Sequence, residues 1–389
     1  MGSSDRPAQP KIGLVLSGGG ARAAYQVGVL SAISEMLPAD APSPFQIVCG
    51  TSAGAINATV LAAHASNFRK GVNLLMAVWR SFHVHHVYRA DAIGAFRNSA
   101  KWVLSTLTGG LGRKTPVALL DNSPLARLIT RRLDYAAVQR SIDAGDLYAF
   151  SITCSGYTSG ESVTFFQGTP GIESWRRARR LGIPVKIGPE HLLASAALPF
   201  IFPAVHINRE YFGDGSMRQI APVSPALHLG AERLFVIGVG RQLQSQQERV
   251  KAEAYPSLAQ IAGHCLNSIF LDSLEVDLER LQRINRTLSM LPPAARVRNN
   301  LPLREVDFRV MSPSVALEKI AIDHVHTLPL TIRSLLFTLG ALKKSGSNLV
   351  SYLLFEKEFC RALIELGYDD TMKQRDELMR FLGYEACWL

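Results

Sequence analysis

One segment, Phe45 to Ala58, constrains the fold of this chain more than any other. It opens with an apolar run that includes β-branched residues, which predicts a short buried strand, and continues into alanine-rich sequence, which predicts a helix from Ala53 to about Ala63. Between the two, Gly50, Ser52 and Gly54 form a Gly-x-Ser-x-Gly pattern. Small residues around a serine permit a sharp strand-to-helix turn that holds the hydroxyl in the open. The pattern predicts a nucleophile, and a glycine-rich turn with a serine helix cap is the structural alternative.

A similar strand–turn–helix unit precedes this one. Residues 11–17 are predicted to form a strand, Gly18, Gly19 and Gly20 follow directly, and a helix is predicted over about residues 23–36. Two such units in succession are typical of a parallel sheet flanked by helices. The glycine run either only supplies positive φ angles or forms an anion cradle of successive backbone N–H groups. Beside a serine nucleophile, that cradle would be an oxyanion hole.

The same glycines also fit a loose dinucleotide-binding fingerprint, with Gly18, Gly20 and Ala23 in the G-x-G-x-x-A positions. That fingerprint requires an acidic residue about 20 positions later. Glu35 and Asp40 are in range, and neither ends a second predicted strand. No Gly-Lys-Ser/Thr follows the glycines, so they are not a P-loop. Nucleotide binding is therefore the weaker hypothesis, and no cofactor is expected.

Composition restricts the remaining classes of protein. The 389 residues are 47% hydrophobic and 19% charged, which is typical of a globular chain. No apolar run reaches the roughly 18 residues of a membrane span, and residues 1–10 lack an apolar signal core, so a cytoplasmic location is expected. Five widely spaced cysteines predict reduced thiols rather than disulfides or a zinc site. The net charge of +10 suits nucleic acid or an anionic membrane surface, but no nucleic-acid motif is present.

Residues 83–115 differ in character from the sequence around them. His83–His86 contains three histidines without acidic or cysteine neighbours, so no metal is expected there. Residues 91–107 carry apolar side chains at near-helical spacing among basic ones. This predicts a basic amphipathic helix that packs on the core, or that serves as a lid or contacts a membrane. The basic run Trp175–Arg180 is either a solvated face or a contact for phosphate head groups.

Later segments supply further candidate parts of a site. Residues 192–205 are small and apolar, then aromatic and bounded by prolines, so they would either line an acyl-chain pocket or fill a core. Asp214 and Gly215 follow an aromatic pair, although Asp-Gly alone is also a common hairpin turn. Beyond residue 242 the pattern is mainly helical, with one more strand predicted at 306–311.

Three of these motifs, in this order and spacing, resemble the signature of the patatin-like phospholipases. They are Gly18-Gly19-Gly20-x-Arg22, Gly50-x-Ser52-x-Gly54 and Asp214-Gly215. The segment Ser195–Ala204 is similar to the one that precedes the catalytic aspartate in that family. The resemblance covers about residues 12–239.

The resemblance implies an α/β fold with three layers, in which a mostly parallel central sheet has helices on both faces. The catalytic domain would span residues 11–242, with a lid insert at 83–115. Residues 243–389 would form a mainly helical extension that adds the 306–311 strand to the sheet. Residues 1–10 would be a flexible tail.

The resemblance also implies a serine–aspartate dyad without a histidine. Ser52 would attack an ester carbonyl and Asp214 would take its proton, which requires that burial raise the low pKa of a carboxyl group. Backbone N–H groups would hold the oxyanion, namely those of Gly18, Gly19, Gly20 and Ala53. The residues that would support these motifs are Arg22, Gly50, Gly54 and Gly215. Arg22 would hold the glycine loop or meet a lipid phosphate.

By resemblance, the activity would be that of a phospholipase A or lysophospholipase that forms an acyl-enzyme. The substrate would be a phospholipid or lysophospholipid, and the basic surface favours peripheral contact with an anionic inner-membrane surface over nucleic acid. One alternative is an α/β-hydrolase with a Ser–Asp–His triad, whose base would be one of His228, His264, His324 and His326. Another is a non-catalytic lipid-binding or regulatory protein of the same fold.

Overall fold

The computed structural model of the protein describes residues 10–89, 118–241, 255–292, 303–338, 340–342 and 346–384. The tail up to residue 9, the amphipathic segment 91–107 and most of the lid insert predicted at 83–115 lie outside the described residues. In the part of the chain that the structure describes, no helix is long and apolar enough to span a membrane.

A ten-stranded mixed sheet forms the centre of the described chain. Its strands are β1 (Ile12–Leu16), β2 (Ile47–Thr51), β3 (Ala149–Gly156), β4 (Ser162–Gly168), β5 (Trp175–Arg177), β6 (Arg180–Pro184), β7 (Val205–Ile207), β8 (Glu210–Asp214), β9 (Arg233–Ile237) and β10 (Asp307–Met311). The five neighbours β10-β9-β1-β2-β3 are all parallel. Strands β4 and β8 both pair antiparallel with β3. The branch that starts with β4 continues through β6 to β5, and the branch that starts with β8 continues to β7.

Helices surround this sheet, and they dominate the chain after β9. The described helices are α1 (Ala24–Met36), α2 (Ala53–Ala63), α3 (Phe68–Arg80), α4 (Val84–Val87), α5 (Ser123–Arg132), α6 (Tyr135–Asp143), α7 (Pro189–Ser195), α8 (Ser224–His228), α9 (Leu258–Asn267), α10 (Ser273–Ser289), α11 (Leu317–His324), α12 (Leu330–Thr338), α13 (Ser347–Leu353), α14 (Lys357–Met372) and α15 (Arg375–Phe381). The predicted α/β class, with a mostly parallel central sheet between helices and a helical C-terminal region, is confirmed.

Alternate residues of the central strands enter two separate hydrophobic cores. On β1, Leu14 and Leu16 belong to the larger core, which also contains residues of α1, α2, α3 and α14. Val15 points to the opposite face and joins Ala226 of α8 and Leu278 of α10 in the smaller core. A strand that is covered on both faces needs a nearly continuous apolar run, which explains the sequence of β1.

Strand β3 determines where the segments of the candidate site meet. Along one edge, β3 pairs with β2 as far as Thr51, which lies opposite Thr153. The next residue of β3, Cys154, lies opposite Asp214 at the end of β8. Since β2 is parallel to β3 and β8 is antiparallel to it, the carboxyl ends of β2 and β8 face each other along this edge. The register of β3 therefore brings Ser52, which follows β2, next to Asp214.

Helices α1 and α14 pack closely enough to fix the C-terminal helices to the first strand–turn–helix unit. A Cβ atom at Gly28 would overlap the carbonyl oxygen of Ile364, so only glycine permits this approach. In the same contact, the hydroxyl of Tyr25 donates a hydrogen bond to Asp370 Oδ2 at 3.3 Å. Burial of Tyr25 and the nearby Asp370 carboxylate raise the pKa of this phenol well above its usual value.

Candidate active site

Ser52 lies on the turn between β2 and α2, in a backbone conformation that few non-glycine residues adopt. Its φ angle of 54° is in the left-handed region. A Cβ atom at Gly50 would come within 2.5 Å of the Ala55 Cα atom, and one at Gly54 would overlap the carbonyl oxygen of Leu16. The two glycines therefore allow α2 to begin directly against the sheet, and this close packing holds Ser52 in its strained conformation.

Ser195 supports the turn from the neighbouring segment. The Ser52 backbone N–H donates to Ser195 Oγ at 2.9 Å, and the Ser195 hydroxyl donates to the Thr153 carbonyl oxygen at 2.7 Å. Ser195 is fully buried. The sequence places Ser195 in a family-like segment but gives no sign of this contact, because a single buried hydroxyl has no local pattern.

Asp214 is a fully buried carboxylic acid. Its Oδ1 atom accepts a hydrogen bond from the Ser216 N–H at 2.9 Å, whereas Oδ2 has no hydrogen-bond partner among the described residues. Burial raises the pKa of Asp214 to about 6, and the nearby Ser52 hydroxyl and the Ser216 N–H oppose this rise. The register of β3 places Ser52 and Asp214 side by side, and no hydrogen bond joins their side chains. Oδ2 remains available as a proton acceptor.

The glycine run between β1 and α1 lies against the same site. A Cβ atom at Gly18 would come within 2.5 Å of Ser216 Oγ, which places Gly18 beside the turn that follows Asp214. Gly20 has a φ angle of 54° and lines the same cavity as Ser52. Within the described residues, no hydrogen bond is found for the backbone N–H groups of Gly18, Gly19, Gly20 and Ala53. Of these four residues, Gly20 and Ala53 line the cavity.

Arg22 points away from the cavity and into the C-terminal helices. Its guanidinium group is buried, donates from Nε to Ser351 Oγ at 2.8 Å and from Nη2 to Asn348 Oδ1 at 3.2 Å, and lies 4.0 Å from the centre of the Tyr352 ring. Glu318 Oε2 is 3.8 Å from Nη2. In this arrangement Arg22 connects the glycine loop to α11 and α13 and is not exposed to a lipid phosphate.

A cavity of about 490 Å³ extends from Ser52 along helix α2. Ile56, Val60 and Ala63 follow Ser52 at helical spacing and form its floor. Apolar side chains from other elements form its walls, among them Leu75, Trp79, Phe82, Leu125, Leu128, Ile129, Leu198, Phe202 and Phe355. At 1.5 Å per residue, α2 spans about 16 Å, so the cavity is long as well as apolar.

The histidines take other positions. Of the His83–His86 cluster, His86 lines the cavity, and His83 Nδ1 lies 2.8 Å from Glu356 Oε2. The described residues contain no group of three His, Cys, Asp or Glu that could hold a metal ion. None of the four candidate triad bases lines the cavity or hydrogen-bonds to Ser52 or Asp214 in the described ranges, namely His228, His264, His324 and His326.

Comparison with known proteins gives one family and several similar chains. The model of the family described as "Patatin-like phospholipase" matches residues 14–227. A curated relative, a cGAMP-activated phospholipase of Pseudomonas aeruginosa, is 27% identical over 216 residues, which are 55% of this chain and 55% of the relative. The matched region thus spans about half the length of that relative.

Solved structures with similarity to this chain have low sequence identity. VipD from Legionella pneumophila is 14% identical with a TM-score of 0.39, over 95% of this chain and 67% of VipD. Human GIVD cytosolic phospholipase A2, in complex with methyl γ-linolenyl fluorophosphonate, is 13% identical with a TM-score of 0.43, over 96% of this chain and 59% of the human chain.

Proposed function

Because this chain belongs to the patatin-like phospholipase family, we propose that it is a lipid acyl hydrolase of the phospholipase A or lysophospholipase type. The observation that best supports this proposal is the placement of Ser52. The serine lies on a strained turn, next to a buried carboxylic acid with a raised pKa, at one end of a long apolar cavity. A strained nucleophile, a perturbed base and a cavity at one place are typical of a catalytic site.

The proposed reaction has two steps. Ser52 Oγ attacks the ester carbonyl while Asp214 Oδ2 accepts its proton. The backbone N–H groups of the glycine loop and of Ala53, which begins α2, stabilise the oxyanion. Asp214 then returns the proton to the departing alcohol, which leaves an acyl group on Ser52. In the second step Asp214 takes a proton from water, the hydroxide oxygen attacks the acyl carbonyl, and the proton returns to Ser52 as the fatty acid is released.

The shape and lining of the cavity favour a long fatty-acyl chain over a small acyl group. A fatty-acyl chain lying along α2 would be shielded from water over a length of about 16 Å. Each methylene buried in this way contributes about 0.8 kcal/mol to the free energy of binding. The net charge of +10 favours a substrate presented in an anionic lipid surface over a soluble neutral ester. A phospholipid or lysophospholipid meets both requirements.

Fatty-acid release from a panel of phospholipids and lysophospholipids tests this proposal, with labelling by a fluorophosphonate probe as a second measurement. We expect release from at least one of these lipids and covalent labelling of the protein. Neither release nor labelling would favour the non-catalytic lipid-binding alternative. Labelling without release from any lipid would indicate a serine esterase for another substrate class.

The pH dependence of ester hydrolysis should report the pKa of Asp214. Asp214 must be ionised to accept the Ser52 proton, and burial raises its pKa to about 6. We therefore expect kcat/KM for a soluble ester to rise tenfold per pH unit below about pH 6 and to level off above it. A rising limb centred near pH 4 would mean that the base has the pKa of an ordinary carboxyl group, which contradicts the expected shift at Asp214.

Blocking the cavity at Val60 should change acyl-chain preference. Val60 lies about two helical turns beyond Ser52 on the cavity floor, so Val60→Trp would fill the cavity beyond the first part of the chain. Loss of a few buried methylenes is expected to lower the ratio of kcat/KM for palmitoyl over butyryl esters about tenfold or more. The matched control is Val276→Trp, at a half-exposed position on α10 outside the cavity, which should leave this ratio unchanged. An unchanged ratio in Val60→Trp would show that the acyl chain does not follow α2.

A further inference from the structure

Phe200 combines two features that do not stabilise the folded chain. Its side chain is 77% exposed, and its φ angle of 64° lies in the left-handed region. A left-handed backbone is unfavourable for any residue with a Cβ atom, and a bulky residue there is a genuine outlier. An exposed aromatic ring gains little from packing within the chain. An outlier of this kind points to a function at the position itself.

Backbone hydrogen bonds on both sides hold the turn around Phe200. The N–H of Leu119 donates to the Phe200 carbonyl oxygen at 2.9 Å, and the N–H of Leu120 donates to that of Ile201 at 2.9 Å. The N–H of Phe202 donates back to the Leu198 carbonyl oxygen at 2.8 Å. Leu198 and Phe202 both line the cavity that reaches Ser52. The turn therefore directs its two outer residues into the cavity and the Phe200 ring into solvent beside the cavity wall.

Basic side chains lie on the helix that follows the residues hydrogen-bonded to the Phe200 turn. Helix α5 begins three residues after Leu120 and contributes another wall of the cavity. The outward side of α5 carries Arg127 and Arg131, one helical turn apart and both exposed. Among the described residues, no carboxylate lies within 4.0 Å of either guanidinium group. The cations are thus available to an external anion.

We propose that Phe200, together with Arg127 and Arg131, docks the mouth of the cavity on an anionic phospholipid surface. The ring would enter the boundary between head groups and acyl chains, where an amphipathic or aromatic side chain gains the burial that it lacks in the free protein. The arginines would meet lipid phosphates at the same surface. This inference rests on the proposed function in that the surface would supply the substrate, but docking itself requires no reaction.

Vesicle sedimentation with the Ser52→Ala protein tests docking without hydrolysis. Phosphatidylcholine vesicles are compared with vesicles that also contain phosphatidylglycerol, at low and high salt. In this background, Phe200→Ala is expected to weaken binding to the anionic vesicles about tenfold. Removal of the charge in Arg127→Gln or Arg131→Gln should weaken binding about fivefold each. High salt should reduce the difference in binding between the parent protein and these two variants. The matched control is Phe337→Ala, at a 70% exposed position on α12, which should bind like the parent protein.

A further variant separates docking from folding. Phe200→Gly removes the ring but suits a left-handed backbone, so it should match or exceed the parent protein in thermal stability and still bind vesicles about tenfold more weakly. With Ser52 present, both Phe200 variants should hydrolyse a soluble butyryl ester at the unaltered rate. Unchanged vesicle binding in both variants would overturn the proposal, as would equal weakening by Phe337→Ala. A change of oligomeric state with unchanged vesicle binding would assign the ring to a protein contact. If vesicle binding depends on Phe200 but no lipid is hydrolysed, docking stands and the proposed function fails.

Discussion

Replacement of Ser52 by alanine is expected to lower fatty-acid release by at least about 10⁴-fold. The change removes the attacking oxygen, and the groups that remain would stabilise only direct attack by water. Loss of a serine nucleophile in other hydrolases costs roughly 10⁶-fold in kcat. The alanine side chain is smaller and fits the same turn, so the fold should be retained. Fatty-acid release under single-turnover conditions and labelling by a fluorophosphonate probe measure the effect.

The matched control for this change is Ser34→Ala. Ser34 is a buried serine on α1 whose hydroxyl donates to the Ser31 carbonyl oxygen, away from the candidate site. Full activity and labelling are expected in this variant. Release that persists in Ser52→Ala at more than a hundredth of the wild-type rate would show that another residue is the nucleophile, and the proposed mechanism would be wrong.

Replacement of Asp214 by asparagine is expected to lower fatty-acid release about 10² to 10⁴-fold and, at the same time, to stabilise the protein at neutral and alkaline pH. An amide cannot accept the Ser52 proton, and a positioned general base contributes about this factor. The amide oxygen can still accept the hydrogen bond from the Ser216 N–H, which keeps the turn in place. The rate loss therefore reports the proton acceptor rather than a disturbed fold.

The gain in stability follows from the direction of the pKa shift. Burial raises the pKa of Asp214 from 3.8 to about 6, so the folded chain binds a proton more tightly than the unfolded chain. The free energy of unfolding therefore falls as the pH rises from about 4 to about 6, by up to about 3 kcal/mol, and stays lower above that range. The asparagine side chain does not ionise, so the Asp214→Asn protein does not lose this stability as the pH rises. We expect it to be more stable than wild type by about 1 to 3 kcal/mol at pH 8 and similar to it at pH 4.

Urea unfolding at these two pH values measures that difference. For the loss of activity, Asp277→Asn is the matched control, because Asp277 is also buried and accepts a backbone hydrogen bond, from Val223, but lies on α10 outside the cavity. This variant should retain activity. Lower stability of Asp214→Asn at both pH values would mean that the ionised carboxylate has a structural role.

Single replacement of the four candidate triad histidines should leave most activity, and loss with any one of them would favour a Ser–Asp–His triad.

The sequence predicts the fold class and the family because the motifs that identify them are short and local. Glycine-rich turns between strand-like and helix-like runs are readable at Gly18–Gly20 and Gly50–Gly54, and two such units in succession indicate a parallel sheet. The pairing of β8 with the end of β3 is not readable in this way, since strand register depends on contacts between distant segments. The approach of Asp214 to Ser52 is therefore inferred at the sequence level only through the family resemblance.

The cavity is only partly predictable from the sequence. Residues 192–205 suggest an acyl pocket, and Leu198 and Phe202 do line the cavity. Most of the lining, however, comes from α2, α3 and α5, whose apolar residues have the same periodicity whether they face a cavity or a filled core. The contacts of Arg22 with α13 cannot be predicted from the sequence either, because an ordinary amphipathic pattern does not indicate which helix packs on which loop.

The residues that hold the glycine loop lie outside the stretch that defines the family. The family match ends at residue 227, but Ser351 and Asn348 anchor Arg22, and Phe355 forms part of the cavity wall. Most of the cavity wall thus lies inside the family stretch, whereas the anchor of Arg22 and one part of the wall come from residues after it. A change in the C-terminal helices can therefore alter the anchor of the glycine loop and one wall of the cavity while all three motifs stay intact.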